Sequence, residues 1–150
     1  MNDILEGLNE AQREAAECLL GPVLILAGAG SGKTKTLTHR IANLIAHGVD
    51  PSRILAVTFT NKAANEMRSR LWALMTSSRE AQEPPRGFMP YMGTFHGVCV
   101  KILRQEADAA GLDRNFVIYD ADDQVALIKR IMKDLKLSDN KALKPKLVRS

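Results

Sequence analysis

Short apolar segments and amphipathic segments alternate along the first 110 residues. Apolar runs at 23–27 and 54–59, with a weaker one at 91–94, predict strands. Stretches in which apolar residues recur at three- and four-residue steps predict helices at 32–47, 61–75 and 95–110, with one more at 9–20 before the first strand. Apolar strands that alternate with helices indicate an α/β fold, a parallel sheet with flanking helices.

After Gly111 the helical pattern dominates. Residues 117–119 predict a short strand and residues 120–137 a long helix, and a further helix is predicted to begin near Ala142. That last helix meets Ser150 without a cap, so we expect the sequence to be the first part of a longer protein.

Composition and charge narrow the class of protein. The 150 residues are 45% hydrophobic and 25% charged, which excludes a disordered chain, and no apolar run is long enough to span a bilayer. Bases outnumber acids in residues 128–150, whereas acids predominate in residues 1–20, and the net charge of +4 permits a nucleic-acid partner without establishing one. Cys18 and Cys99 have no C-x-x-C spacing, so we predict buried, reduced thiols and a cytoplasmic protein.

The strongest chemical signal is the segment AGAGSGKT, residues 27–34, which follows a predicted strand and opens a predicted helix. Glycines let the backbone N–H groups of such a P-loop turn towards phosphates. Lys33 then neutralises the β- and γ-phosphates, and the Thr34 hydroxyl ligates Mg²⁺. The alternative is a glycine-rich turn with an incidental lysine.

Two further strand-to-helix junctions carry hydroxyl, amide, aromatic and basic side chains. These are Phe59, Thr60, Asn61 and Lys62 at the first, and Thr94, Phe95 and His96 at the second. Such groups grip nucleic-acid phosphates and stack on bases, although a capping Thr or Asn beside a core Phe is the alternative for each. Because the carboxyl ends of parallel strands meet at one edge of a sheet, we expect both junctions to lie on the edge that holds the P-loop.

Four ordered segments resemble motifs of the UvrD/PcrA/Rep-type superfamily 1 DNA helicases. LNEAQREAA, AGAGSGKT, AVTFTNKAANEM and GTFHGVCVKILR are similar to the Q motif and motifs I, Ia and Ib, and FVIYDADDQVALIK is similar to the start of the helical subdomain 1B. The resemblance implies a P-loop NTPase fold, with the first part of a RecA-like ATP-binding domain 1A at residues 1–111 and the start of 1B at residues 112–150. It implies an ATP-dependent 3′→5′ DNA helicase that acts on single-stranded and duplex-junction DNA.

The resemblance also implies roles for single residues. Gln12 would read adenine, for which its amide is a suitable bidentate partner, although an exposed helix glutamine is the alternative. The residues implied to hold ATP and Mg²⁺ are Ala29, Gly30, Ser31, Gly32, Lys33 and Thr34, with Lys33 and Thr34 acting in catalysis; those implied to line the single-stranded DNA path are Phe59, Thr60, Asn61, Lys62, Thr94, Phe95 and His96. Lys35 stands where many relatives carry an arginine that packs on adenine, and lysine stacks less well.

Two catalytic parts of the family pattern are not found in the sequence. The family needs an Asp-Glu pair to hold Mg²⁺ and activate water, and an arginine from a second RecA-like domain. Asp120 follows an apolar run as that aspartate would, but Ala121 occupies the glutamate position. We therefore expect binding of ATP and DNA without hydrolysis by these residues alone; a different P-loop NTPase or kinase, or a non-catalytic binding module, are the alternatives.

Overall fold

Helices predominate among the elements of the computed structural model, which describes residues 4–28, 30–76 and 83–137. The helices are α1 (Glu10–Glu17), α2 (Lys33–Ala46), α3 (Asn61–Thr76), α4 (Phe95–Gln105) and α5 (Ala121–Asp134), and the strands are β1 (Ala56–Thr58) and β2 (Met92–Thr94). A short 3-10 turn at Pro51–Arg53 precedes β1. Each of these helices and strands lies within a segment for which the sequence predicts that element, except that α3 extends one residue further, to Thr76. None of the described helices is long and apolar enough to cross a membrane.

Local side-chain chemistry determines where the helices begin. The Asn9 side chain accepts a hydrogen bond from the Gln12 N–H at 2.9 Å, and the Gln12 side chain accepts one from the Asn9 N–H at 3.2 Å. This reciprocal capping box satisfies two backbone donors that no helical carbonyl reaches. At α3 the Thr60 hydroxyl satisfies one such donor, because it accepts from the Ala63 N–H at 3.1 Å.

The sheet of the described residues consists of β1 and β2, which pair in parallel. Ala56 lies opposite Met92, Val57 opposite Gly93 and Thr58 opposite Thr94. Parallel strands need a crossover connection, and here α3 and the segment after it supply the crossover. The last residues of both strands therefore lie side by side.

The hydrophobic core lies between α2, α3 and the two strands. Ile41, Met67, Leu71, Met89 and Met92 are among its buried members, and Leu71 and Met89 have no exposed area. Met89 has a left-handed backbone with φ of 51°, which costs a non-glycine residue about 1–2 kcal/mol. Burial of its side chain stabilises by roughly 1.5–3 kcal/mol, enough to offset that cost.

The chain divides into two compact units, residues 1–102 and 103–150. In the second unit α5 buries Met132, and the Arg104 guanidinium lies 5.8 Å from the centre of the Phe116 ring. Arg114 and Asp108 form an ion pair at 2.7 Å. The predicted boundary between residues 111 and 112 remains a prediction.

The prediction of a buried strand at residues 23–27 is wrong in this structure. Residues 22–28 form no strand, and Leu24 and Leu26 are 81% and 86% exposed. A central parallel strand needs a hydrogen-bonded neighbour on each side. Among the described residues β1 and β2 pair only with each other, so the apolar run has no backbone partner.

Two smaller expectations also change, and a third is not tested. Residues 117–119 form no strand and are exposed, for the same lack of a pairing partner. Cys18 is exposed because α1 ends at Glu17, and its thiol donates to the Leu20 carbonyl oxygen at 3.2 Å, while Cys99 is half-buried; both are free. The helix predicted near Ala142 lies outside the described residues.

The helix cap formed by Asp120 predicts how a single substitution changes the stability of the second unit. Its carboxylate accepts from the N–H groups of Asp123 and Asp122, both at 2.8 Å, and these hydrogen bonds lower the pKa of Asp120. We expect Asp120→Ala to lower the 222 nm helical signal and the melting temperature, and Asp120→Asn to preserve both because an amide oxygen also caps. The cap stabilises fully above the ordinary carboxyl pKa and is lost as pH falls through the lowered one. Equal melting of the alanine and asparagine variants would contradict this role.

Candidate functional site

The loop between residue 27 and α2 has the backbone geometry of an anion cradle. Gly30 and Gly32 have φ angles of 77° and 84°, which are left-handed conformations that favour glycine. The Ser31 hydroxyl donates to the Gly28 carbonyl oxygen at 2.7 Å and closes the turn. Ala29 lies outside the described residues, so its predicted contact with nucleotide stays a prediction.

The first turn of α2 is open to a ligand. Gly32 is the N-cap and provides no side-chain hydrogen bond, so no capping side chain satisfies the first N–H donors of the helix. These donors and the positive end of the helix dipole favour an anion at this place. Thr34 is exposed in the same turn, where its hydroxyl is accessible.

The Lys33 side chain folds back towards the start of the loop. Its ammonium donates to the carbonyl oxygens of Ala27 at 2.8 Å and Gly28 at 2.6 Å. The side chain forms no ion pair with a carboxylate in the described part of the chain, so its positive charge is held at the loop and is not neutralised.

Gln12 contacts the same loop from α1. Its Nε2 donates to the Ser31 carbonyl oxygen at 3.0 Å while its Oε1 holds the cap of its own helix. Gln12, Ser31 and Lys33 line one pocket of about 150 Å³. Ordinary small-molecule sites begin at roughly 300 Å³, so this pocket suits one part of a nucleotide. The structure thus places Gln12 against the loop and not on an isolated helix surface.

Lys35 has a contact that the sequence did not indicate. Its ammonium donates to the Gly7 carbonyl oxygen at 2.5 Å, and His39 Nδ1 lies 2.5 Å from the Ile4 carbonyl oxygen. The Arg13 guanidinium donates to the Leu5 carbonyl oxygen at 3.1 Å. The Lys35 and His39 contacts hold the segment before α1 to α2, and the Arg13 contact holds it to α1. No local pattern predicts them, because two of the three join residues about thirty positions apart.

The β1–α3 junction presents an aromatic ring to solvent. The Phe59 side chain is fully exposed, which excludes the core-phenylalanine alternative for this residue. The Thr58 hydroxyl donates to the Thr60 carbonyl oxygen at 3.0 Å and so shapes the turn beneath the ring. Asn61 and Lys62 are exposed in the first turn of α3.

The β2–α4 junction has the same construction. The Thr94 hydroxyl accepts from the Gly97 N–H at 3.2 Å and caps α4. Phe95 is 62% exposed, and its ring meets the exposed His96 ring edge to face at a centroid distance of 6.1 Å. An added Cβ at Gly97 would lie 3.1 Å from the Thr94 hydroxyl oxygen, so the small residue leaves the cap room.

The structure brings the two aromatic junctions together but gives no direct link to the phosphate loop. The pairing of Thr58 with Thr94 places them next to each other. Within residues 4–28, 30–76 and 83–137, no hydrogen bond or ion pair joins the loop to either junction. Packing of α2 on α3 connects them.

Metal-binding side chains are sparse. No three His, Cys, Asp or Glu side chains cluster as a metal site in the part of the chain that the structure describes. The Asp120 carboxylate accepts two hydrogen bonds as a helix cap, and the residue that follows it is Ala121 and not a glutamate. Thr34 therefore stands as a single candidate hydroxyl ligand, which suits Mg²⁺ when phosphates and water complete its shell.

Comparisons with known proteins find a matching family and several similar proteins. A family model described as the UvrD/REP helicase N-terminal domain matches residues 8–150. The chain is 47% identical over 148 residues to a protein named ATP-dependent DNA helicase PcrA from Staphylococcus epidermidis (strain RP62A), and 45% identical over 148 residues to its namesake from Staphylococcus aureus (strain Mu50). Each match covers 98% of this chain and 19% of the relative, so the chain spans about a fifth of their length.

Gly32 tests the geometry of the loop. An added Cβ would lie 2.7 Å from Nε2 of Gln12, and its φ of 84° costs other residues about 1–2 kcal/mol. We expect Gly32→Ala to lower both the melting temperature and nucleotide affinity. Gly48→Ala is the matched control, because Gly48 has a φ of 88° with nothing within 4 Å and should lose only stability. Equal nucleotide affinity of the two variants in calorimetry would show that the loop geometry is not needed.

Proposed function

The chain belongs to the family of UvrD/REP helicase N-terminal domains, and from this premise we propose that it binds ATP with Mg²⁺ and single-stranded DNA as the first RecA-like part of an ATP-dependent 3′→5′ DNA helicase. The observation that carries the proposal is the first turn of α2, which no side chain caps, beside the Lys33 ammonium, which binds two carbonyl oxygens and forms no ion pair among the described residues. The exposed aromatic junctions add the nucleic-acid surface.

Phosphate binding follows from the charges around the loop. Gly30 and Gly32 give the loop its left-handed turns, no side chain caps the first N–H groups of α2, and Lys33 adds a full positive charge. When nucleotide binds, Lys33 would exchange its hydrogen bonds to the Ala27 and Gly28 carbonyl oxygens for hydrogen bonds to phosphate oxygens. Phosphate oxygens are charged acceptors, so the new hydrogen bonds would be stronger. Residues of the loop therefore bind and orient the triphosphate.

Gln12 is placed to select the base. Its Nε2 has a second proton beyond the one donated to Ser31, and its Oε1 has a second lone pair beyond the one that accepts from Asn9. These remaining sites offer a donor and an acceptor to adenine N7 and N6. Lys35, engaged with Gly7, would pack on the base only by giving up that contact.

Mg²⁺ would be held by Thr34 and the phosphates, where it would neutralise the charge that develops during phosphoryl transfer. No carboxylate lines the pocket beside the loop among its described residues. Water activation and the arginine that stabilises the transition state would then come from the rest of the helicase. We propose that residues 1–150 bind nucleotide but turn it over negligibly, with or without DNA.

Single-stranded DNA would cross the paired junctions. Phe59 and Phe95 offer exposed rings for base stacking, while Thr60, Asn61, Lys62, Thr94 and His96 offer donors to phosphate. A small-molecule P-loop kinase has no use for a fully exposed phenylalanine beside a second exposed ring, so the DNA interpretation is favoured.

Lys33→Ala tests the nucleotide proposal. Loss of the ammonium removes a charged hydrogen bond, for which about 1.5–3 kcal/mol, or more than tenfold in ATP affinity, is expected. Lys129→Ala removes the same charge from an exposed position on α5 and serves as control. Calorimetry with Mg²⁺ and ATP that gave both variants the wild-type affinity would be incompatible with the proposal.

Phe59→Ala tests the DNA proposal. The ring contributes nothing to the core, so we expect an unchanged melting temperature and a loss of about 1–3 kcal/mol in oligothymidylate binding. Tyr119→Ala, which removes another exposed aromatic side chain, should bind as wild type. Fluorescence anisotropy that showed no difference between the two variants would remove Phe59 from the DNA path.

A further inference from the structure

A cleft of about 540 Å³ lies between α3 and the segment 83–90, with α4 at its side. Its charged lining consists of Arg68, Arg86, Lys101 and Glu83, three cations against one carboxylate. The volume falls in the range of ordinary ligand sites, roughly 300–1,000 Å³. None of these side chains belongs to the phosphate loop or to the two aromatic junctions.

Two of the cations are oriented by neutral partners. Arg68 on α3 donates to Asn65 Oδ1 at 2.9 Å and to the Met92 carbonyl oxygen. Lys101 on α4 donates to the Pro90 carbonyl oxygen at 2.9 Å, and its ammonium lies 5.0 Å from the centre of the Tyr91 ring. Carbonyl and amide oxygens orient these cations but leave their charge intact, and each has further N–H donors.

The third cation has no partner in the part of the protein that the structure describes. Arg86 is exposed and forms no hydrogen bond or ion pair with any residue in the described ranges. In those ranges no carboxylate forms an ion pair with Arg68 or Lys101 either. Among the described residues the cleft therefore holds three cations and one carboxylate with no ion pair between them, and this excess of positive charge attracts a polyanion.

The position of the cleft favours DNA over an acidic protein. Its walls are α3 and α4, the two helices that begin at the aromatic junctions. Asn65 lies about 6 Å along α3 from Asn61, and Lys101 about 9 Å along α4 from Phe95, at 1.5 Å per residue. Arg68 and Lys101 contact the Met92 and Pro90 carbonyl oxygens at or just before the start of β2, so a DNA strand bound at the junctions would reach them by continuing along these two helices.

We propose that this cleft binds phosphates of the DNA strand that crosses the two junctions, with Arg86 as a direct contact and Arg68 and Lys101 as cations held ready on its walls. The proposal rests on the DNA part of the proposed function and extends the path beyond the junctions. Binding in the cleft is electrostatic and independent of the base sequence, because its cations contact phosphates and not base edges.

The test is a titration of the 150-residue chain with fluorescent oligothymidylate at several salt concentrations. Arg86→Gln removes a charge that supports no internal contact, so the fold should be unchanged. We expect affinity about three- to tenfold weaker at 50 mM salt, and a slope of log affinity against log salt shallower by about 0.7 for one phosphate contact. Arg53→Gln removes the same charge from an exposed site of the first unit outside the cleft and should leave the slope unchanged.

Three results would overturn the inference. Wild-type affinity and slope in Arg86→Gln, while Phe59→Ala still loses affinity, would remove the cleft from the path and leave the proposed function in place. No oligothymidylate binding by the wild type would overturn both. Binding of an oligoglutamate peptide that depends on Arg86, without an effect of Arg86→Gln on oligothymidylate, would assign the cleft to an acidic protein segment.

Discussion

Parallel pairing of three residues in β1 with three in β2 is the constraint on which the proposed nucleic-acid surface depends. It places Thr58 opposite Thr94, so that the turns after both strands open side by side. A slip by one residue would reverse which side chains face the core. The burial of Ala56 and Met92 on the core side therefore fixes the register that presents Phe59 and Phe95 together.

The nucleotide surface depends on a different set of interactions, mostly hydrogen bonds to backbone carbonyls. Gln12 connects α1 to the loop through Ser31, and Lys35 connects α2 to Gly7. The loop itself contributes few apolar contacts, since residues 27, 28, 30 and 31 are exposed. Packing of α2 on α3 through the core that holds Ile41 and Leu71 relates the two surfaces.

Local patterns predicted what is decided locally. Neighbouring residues are enough to recognise the caps at Asn9 and Thr60, the helical periods of α2 and α3, and the glycines at residues 30 and 32. The run at 23–27 shows the limit of such patterns. An apolar run indicates a segment that suits a buried strand, but it does not show whether neighbouring strands are present to pair with it. Contacts such as His39 with Ile4 or Arg68 with Met92 join distant residues and leave no periodic signal. The exposure of Phe59 could likewise not be predicted, because the sequence pattern fitted a core residue equally well.

The central claim is that one chain carries two separate ligand surfaces, a phosphate loop and a pair of aromatic junctions. Amide chemical shifts of the isotopically labelled protein, titrated first with Mg²⁺ and ATP and then with oligothymidylate, test it directly. The account predicts that nucleotide moves the signals of Gln12 and residues 30–36, and that DNA moves those of residues 58–62 and 94–97. Shifts from both ligands at the same amides, or nucleotide shifts confined to the junctions, would contradict it.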